Sequence, residues 1–508
     1  MAEMDKELEQ KLWTAADYMR GNISSEQYMH IVIGIMFIKS MSDKYTKAVE
    51  AIKEEYGAKW EFFAENKDIL SSKYNCSFII PKKARWEYIS QYATQEEIGS
   101  KIDKAFLLIE ESNHVLKGLF DKNYNREELD QNKLGNVVSE FSNIDINKYG
   151  DDIFGRIYEY FLGQFFLKQG QKGGEFYTPA CIVKLLVELI EPKKGTLYDP
   201  ACGTGGMFVQ AKKHLEDIDE DSTSLTIYGQ EYQDKTWKLA RINLLLQGFN
   251  AQDINLGDKS ADSFKNDHHK GKTFDYILAN PPFNQKKWGL EELEDDPRWQ
   301  WGLPPKNNAN YAWLSHMLSK LNSNGKAAVV LANGSLSGSQ KNEVEFRKKV
   351  LEGNKVEMII SLPDKLFYTT GIPVSVWVFN NSKSTEEVLF VDASNVEGTM
   401  VSKKLRKFEE EDISKIKEEL RKFRNGEQIE ELGFSKSVTK EEIKESDYSF
   451  VPGRYVGFVK EEIDEEKLKE EIKESSKELK KLFSEFNNLI PEVEKAIEKA
   501  INYTSEKE

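Results

Sequence analysis

The chain has 508 residues, 39% of them hydrophobic, and a formal net charge of −15; that length predicts two to four domains, with room for at least one large sheet. Its longest conspicuous apolar run, Ile31 to Ile38, is far short of the roughly 20 residues that cross a bilayer, and the charged start MAEMDKELEQKLW lacks an apolar signal core, so neither a membrane span nor secretion is expected. Three cysteines, Cys76, Cys181 and Cys202, show no CxxC spacing, which argues against a disulfide framework and a zinc site and predicts a reducing, cytoplasmic setting. The excess acid is awkward for a nucleic-acid ligand, because Lys and Arg on phosphates supply most non-specific affinity. A local basic groove or a partner must bring the charge.

Residues 1–145 predict an all-α domain. Leu8, Leu12, Ala15 and Met19 mark one amphipathic stripe, Gly21-Asn22 interrupts it, and Ser24 and Gln27 have capping-box spacing before Tyr28, Ile31, Val32, Ile35 and Met36. Nothing in this module looks catalytic; it reads as a packing or docking domain. Over residues 146–400, short apolar strands alternate with amphipathic helices, the signature of a doubly wound, mostly parallel sheet covered on both faces. The strands expected are TLYDP, LTIYGQE, YILAN, AAVVLAN, VEMIISL, VSVWVFN and VLFVD. Residues 401–458 read as a charged helix and an irregular connector closing on Pro452-Gly453. Residues 459–508 read as a helix with Leu468, Ile472, Leu479, Phe483, Phe486 and Ile490 at near-heptad spacing. Such a helix cannot bury its stripe alone: it folds back on its own domain or, the favoured reading, joins an intermolecular bundle.

Within the sheet region, GTLYDPACGTGGMFVQAKKHL places Asp199 at a strand end and Gly203, Thr204, Gly205 and Gly206 before a helix. Glycines there let backbone approach a ligand at the carboxyl end of a strand, where open α/β sheets bind ligands. The G-x-G-G spacing is not the G-x-G-x-x-G dinucleotide fingerprint. The next strand ends on Glu231, about 25 residues past the glycines, placed to accept hydrogen bonds from ribose hydroxyls. In INLGDKSAD, Asp258 is a weaker candidate for an adenine amine, since loop aspartates are common. Gly271-Lys272-Thr273 is a decoy: a P-loop needs glycine where Asn266 stands, so no ATPase is indicated. His268 and His269 are sequential in a polar stretch, point apart, and read as solvated rather than as metal ligands.

The segment ILANPPFNQ stops an apolar strand on Pro281 and Pro282, which can neither continue a ladder nor enter a helix. The prolines offer carbonyls without competing N–H groups, Asn280 adds a side-chain acceptor and Phe283 a flat apolar face. The natural guest of that edge is a planar group carrying an NH₂.

NPPF following DPACGTGG, with GEFYTP ahead of both, is similar to the motif set of amino-group DNA methyltransferases that make N6-methyladenine, in the order of their gamma class. More narrowly, GEFYTP, NPPFNQKKWG, PPKNNANYAWLSHM, SLPDKLFYTTGIPVSVWVF and VLFVDASN resemble the methylation subunit of type I restriction-modification systems, and the similarity covers nearly the whole chain. The resemblance implies a Rossmann-like α/β fold of the S-adenosylmethionine-dependent methyltransferases, flanked by the all-α domain and the helical tail. It implies S-adenosylmethionine as cofactor, with Glu175, Phe176, Tyr177, Thr178, Pro179 and Ala180 beside its methionine end. Thr204, Gly205 and Gly206 then lie on the cofactor's glycine loop and Glu231 takes the ribose, while Asp199, Gly203 and the weaker Asp258, at the adenine, are candidates from the residues themselves. Asn280 and the Pro281 carbonyl then hold the amine of a flipped-out adenine in double-stranded DNA, Pro282 completes the turn, and Phe283 stacks on the base.

Those residue types suit the chemistry. A sulfonium methyl is already activated, so no metal is required; two acceptors on the amine pull its nitrogen toward tetrahedral geometry, orientation lowers the barrier, and no strong general base is needed. No stretch large enough to be a sequence-reading domain is apparent, and the resemblance implies a separate specificity subunit, two methylation subunits to each, with a motor restriction subunit that can join them. The tail is expected to pack on helices of the specificity subunit. Two rivals stand beside this reading: methyl transfer to a glutamine amide in a protein, and a degenerate, non-catalytic scaffold.

Overall fold

The computed structural model describes residues 6–18, 24–144, 153–169, 178–367, 371–402, 405–458 and 465–505. It separates into two compact units, Met1–Gly457 and Phe458–Glu508.

The N-terminal part of the first unit is helical. Ser24 caps the helix Ser25–Tyr56 as the spacing predicts: Gln27 N donates to Ser24 Oγ at 3.3 Å and Ser24 N donates to Gln27 Oε1 at 3.0 Å. The apolar run Ile31 to Ile38 lies in the middle of that helix and is buried, so its hydrophobicity is satisfied by protein. No helix among the described residues is long and apolar enough to cross a membrane. Met19 and Gly21-Asn22 lie outside the described residues. The helical part shares its core with the start of the sheet region. Trp13, Tyr28 and Phe141 meet Phe161 and Phe165 of the helix Ile153–Gln169, with ring centroids 5.7 Å (Trp13–Phe161), 4.7 Å (Tyr28–Phe165) and 6.4 Å (Phe141–Phe161) apart. Tyr158 Oη donates to the Leu239 carbonyl at 2.9 Å, tying that helix to Asp234–Leu246 on the sheet.

The strands are β1 (Gly195–Asp199), β2 (Leu225–Gly229), β3 (Ile254–Asn255), β4 (Phe274–Ala279), β5 (Leu321–Ala332), β6 (Val356–Ser361), β7 (Val374–Asn380), β8 (Val388–Asp392), β9 (Thr399–Ser402), β10 (Leu405–Lys407), β11 (Glu430–Glu431) and β12 (Ser435–Val438). Ten form one sheet in the order β11-β12-β8-β6-β7-β5-β4-β1-β2-β3, and β9 and β10 form a separate hairpin. β3, β2, β1, β4 and β5 run parallel, while β7 is antiparallel to both β5 and β6. All seven expected strands are present. β6 and β7 are buried at every position, which is why each holds an apolar run, Met358–Ile360 and Val376–Phe379, rather than an alternation.

Residues 401–458 correct the sequence reading of a helical and irregular connector. β12 pairs antiparallel with β8, Ser435 opposite Val391 and Val438 opposite Val388, and carries β11 with it, so this segment extends the main sheet. The charged helix Glu410–Arg424 is not merely solvated: Ile413, Ile416, Leu420 and Phe423 are buried, and Lys417 reaches Glu188 on the helix Ala180–Ile190 at 2.7 Å. Its lysines and glutamates masked a stripe only four residues strong, and β12, Ser-Lys-Ser-Val, has one apolar residue to announce it.

The second unit is one helix, Glu465–Ser505, with Pro491 inside it. At about 1.5 Å per residue it is roughly 60 Å long. Ile472, Leu479, Phe483, Phe486, Ile490, Val493 and Ile497 are all exposed along it.

Candidate active site

The parallel strands β1, β2 and β4 deliver three loops to one edge of the sheet, their carboxyl ends. After β1, the chain turns through Gly203 (φ 54°) and Gly205 (φ 82°), left-handed conformations that favour glycine, and enters the helix Gly206–Asp217. A Cβ at Gly203 or Gly206 would meet nothing within 4 Å; the loop faces open space. From behind, Asn243 Nδ2 donates to the Thr204 carbonyl at 2.8 Å.

The ends of β1 and β2 are laced together. Gln230 N donates to the Asp199 carbonyl at 3.1 Å and Cys202 N to the Gln230 carbonyl at 2.9 Å. The Glu231 carboxylate closes the lacing, accepting from Gly203 N at 3.0 Å and from Gln233 N at 2.8 Å. Glu231 is thus anchored to the glycine loop and not simply displayed at a strand end. Asp199 is buried, accepts from Ala201 N at 3.0 Å, and has its pKa pushed up to about 8, chiefly by burial and further by the Glu231 charge. Two adjacent carboxyls, one held largely protonated at neutral pH, make a crevice that favours a cation. Tyr232, next to Glu231, is 64% exposed at the same edge. An aromatic residue right after the strand-end carboxylate was the available signal for it, and sequence reasoning passed over it.

Asp258 stands apart. Its carboxylate is 90% exposed and is 3.8 Å from His268 Nδ1. His269 corrects the expectation of a solvated pair: it is buried, its Nε2 lies 3.0 Å from the Gly229 carbonyl, and Tyr198, Tyr228 and Phe274 pack edge-on around it. A carbonyl only accepts, so Nε2 carries the hydrogen, and burial lowers the imidazole pKa.

After β4, Asn280 is buried and its Nδ2 donates to Thr178 Oγ1 at 2.8 Å. Its Oδ1 is buried without a hydrogen-bond partner among the described residues. Pro281 is buried; Pro282 and Phe283 are half-buried, and Phe367 meets Phe283 edge to face at 5.8 Å and 80°. The turn is locked beyond that point. Asn284 is left-handed (φ 52°), donates its N–H to Asn310 Oδ1 at 2.9 Å, and accepts from Asn310 Nδ2 at 3.0 Å and Asn308 Nδ2 at 3.1 Å. Asn310 starts the helix Asn310–Lys320. The asparagine-rich stretch is plain in the sequence, but nothing in its spacing shows that it holds the turn.

Of the residues expected around the cofactor's methionine end, Glu175, Phe176 and Tyr177 lie outside the described residues. Thr178 is placed against Asn280, Pro179 precedes the helix Ala180–Ile190, and Ala180 is exposed.

A mostly parallel sheet with β7 reversed between β5 and β6, a glycine loop after β1 and an acceptor corner after β4 together define the fold of the S-adenosylmethionine-dependent methyltransferases. The N-6 DNA methylase family matches residues 149–465 and the HsdM N-terminal domain matches residues 8–141. The chain is 37% identical over 479 residues to the type I restriction enzyme MjaIX methylase subunit of Methanocaldococcus jannaschii, covering 90% of this chain and 85% of that one. It is 40% identical over 409 residues to the HindI methylase subunit of Haemophilus influenzae, covering 76% and 91%. The crystal structure of a type I restriction-modification methyltransferase subunit from Streptococcus thermophilus superposes with a TM-score of 0.77 at 28% identity, over 89% of this chain and all of that one. The chain belongs to the N-6 DNA methylase family, among the methylase subunits of type I restriction enzymes. That membership makes it an adenine-specific DNA methyltransferase, which sets aside both the protein-amide and the scaffold readings.

Proposed function

We propose that Asn280 Oδ1 and the Pro281 carbonyl take the two hydrogens of the N6 amine of an adenine flipped out of double-stranded DNA. The observation that carries this reading is the buried Asn280 Oδ1, with no partner among the described residues, beside an Nδ2 already engaged by Thr178. An amide fixed that way presents only an acceptor to the site, and an unpaired buried acceptor costs roughly 1–3 kcal/mol until a donor fills it. The two acceptors draw the amine nitrogen toward tetrahedral geometry and free its lone pair. Phe283, backed by Phe367, stacks on the base, a contact worth about 1–3 kcal/mol against the few kcal/mol of flipping. Neither acceptor is a base; the extra proton leaves to water after transfer.

The residues present fit S-adenosylmethionine, which when bound supplies a methyl already activated on a sulfonium. Gly203 and Gly206 leave open space for it, and the Asp199–Glu231 acid pair suits its positive charges. Glu231 accepts from the ribose hydroxyls while remaining tied to Gly203 and Gln233, and Tyr232 offers a ring to the adenine. Asp258 sits at the rim and takes the adenine amine only by turning inward.

Sequence specificity comes from a separate specificity subunit, with two methylation subunits to each and a motor restriction subunit able to join. The exposed stripe from Ile472 to Ile497 supports docking of the tail helix on helices of that subunit. Three free cysteines agree with work in a reducing cytoplasm. The test is Asn280→Ala in the assembled complex: methyl incorporation into DNA should vanish while calorimetry shows cofactor affinity nearly intact. Equal loss of both would contradict the assignment.

A further inference from the structure

Beyond Phe283 the catalytic loop does something the base-binding reading does not use. Gln285 is anchored, its carbonyl accepting from Ala309 N at 3.0 Å and its Oε1 from Trp313 Nε1 at 3.2 Å. Trp288 is anchored too, 2% exposed with Nε1 donating to the Pro305 carbonyl at 3.0 Å. Between them stand Lys286 and Lys287, both exposed, the second in a left-handed conformation (φ 54°). Among the described residues neither lysine has a hydrogen-bond or ion-pair partner. Of the five acids on the far side of Trp288, three are paired from other directions: Glu291 by Lys306 at 2.8 Å, Glu292 by Lys265, and Asp296 by Arg298 at 2.7 Å.

We propose that Lys286 and Lys287 are a phosphate-binding pair that grips the DNA backbone beside the flipped adenine. The inference rests on the reading of Asn280 to Phe283 as the base-binding edge. Lys286 is three residues from Phe283, a span of at most about 10 Å, and each DNA strand offers a phosphate every ~3.4 Å of axis; two ammonium groups held there reach phosphates flanking the extruded nucleotide. A left-handed non-glycine residue and a buried tryptophan hold the pair out in solvent, so little ordering remains to be done on binding. The charge complementarity is specific to the place: a protein of net charge −15 needs a local cationic contact where its substrate's backbone must pass. A phosphate contact positions the strand and carries no sequence information, which suits a subunit whose site choice is made elsewhere.

The experiment uses the full chain assembled with its specificity subunit, saturated with cofactor. DNA affinity is measured by fluorescence anisotropy against salt, on cognate and unrelated duplexes, for the wild type, Lys286→Ala/Lys287→Ala and Lys286→Arg/Lys287→Arg. The alanine pair should weaken binding by roughly an order of magnitude on both duplexes and flatten the slope of log K against log salt by about 2, near 0.9 per lost phosphate; the arginine pair should restore both. An unchanged affinity or salt slope would overturn the proposal, as would a loss confined to the cognate duplex. Asn280→Ala, run alongside, separates the two ideas: if it still transfers methyl, the base-binding edge is misassigned; if it does not and the lysine variants match wild type, only the phosphate pair is wrong.

Discussion

Replacing Thr178 by valine removes the hydroxyl acceptor of the Asn280 amide while keeping the β-branched shape of the side chain. In the wild type, Nδ2 donates to Thr178 Oγ1 at 2.8 Å inside a buried corner. Without that oxygen, Nδ2 is left unsatisfied, at a cost of about 1–3 kcal/mol, and nothing holds the amide against turning over, which on the proposed reading aims a donor at the substrate amine. A shift of 1.4 kcal/mol is tenfold in rate, so single-turnover methyl transfer at saturating cofactor should fall roughly 5- to 100-fold. Thr178→Ser keeps the oxygen and should recover most of the rate. Calorimetric affinity for S-adenosylmethionine should change little in either variant. A valine variant that binds cofactor poorly yet transfers at the wild-type rate once saturated would refute the reasoning and return Thr178 to the cofactor alone.

Glu231→Ala should weaken cofactor binding by about 1–3 kcal/mol through the lost ribose bonds, read by calorimetry; an unchanged affinity would remove Glu231 from the ribose. Asp199 sets a pH dependence. Its carboxyl titrates near 8 in the free protein, a cation selects the ionised form, and affinity for the cofactor should therefore tighten as pH rises toward 8 and level off above. Flat affinity from pH 6.5 to 9, with no proton release in buffers of different ionisation enthalpy, would exclude the linkage. Removing residues 459–508 should leave a folded first unit, since Met1–Gly457 is compact by itself, that binds cofactor but no longer co-elutes with the specificity subunit on a sizing column; retained co-elution would refute the docking role of the tail.

Much of the fold is legible because burial on both faces leaves a dense apolar run, as in Met358–Ile360 and Val376–Phe379. Glu231 and Asn280 stand out because each closes a strand with a polar group, just past β2 and just past β4. What the sequence conceals is partnership at long range. Thr178 and Asn280 are 102 residues apart, and neither hints at the other. His269 sits in a polar stretch, yet Tyr198, Tyr228 and Phe274 arrive from three strands to bury it. β12 is hidden because a strand ladder is made by backbone groups, and Ser-Lys-Ser-Val supplies those with a single apolar residue.

The rings of Trp13, Tyr28 and Phe141 wedged against Phe161 and Phe165 bear on how such subunits can be rebuilt. A recombination crossover near residue 145 would look harmless from sequence, falling between two recognisable families. It would instead cut through a shared aromatic interior and strand both halves with matching bare faces, so the two stretches should be inherited, transplanted or engineered as one piece.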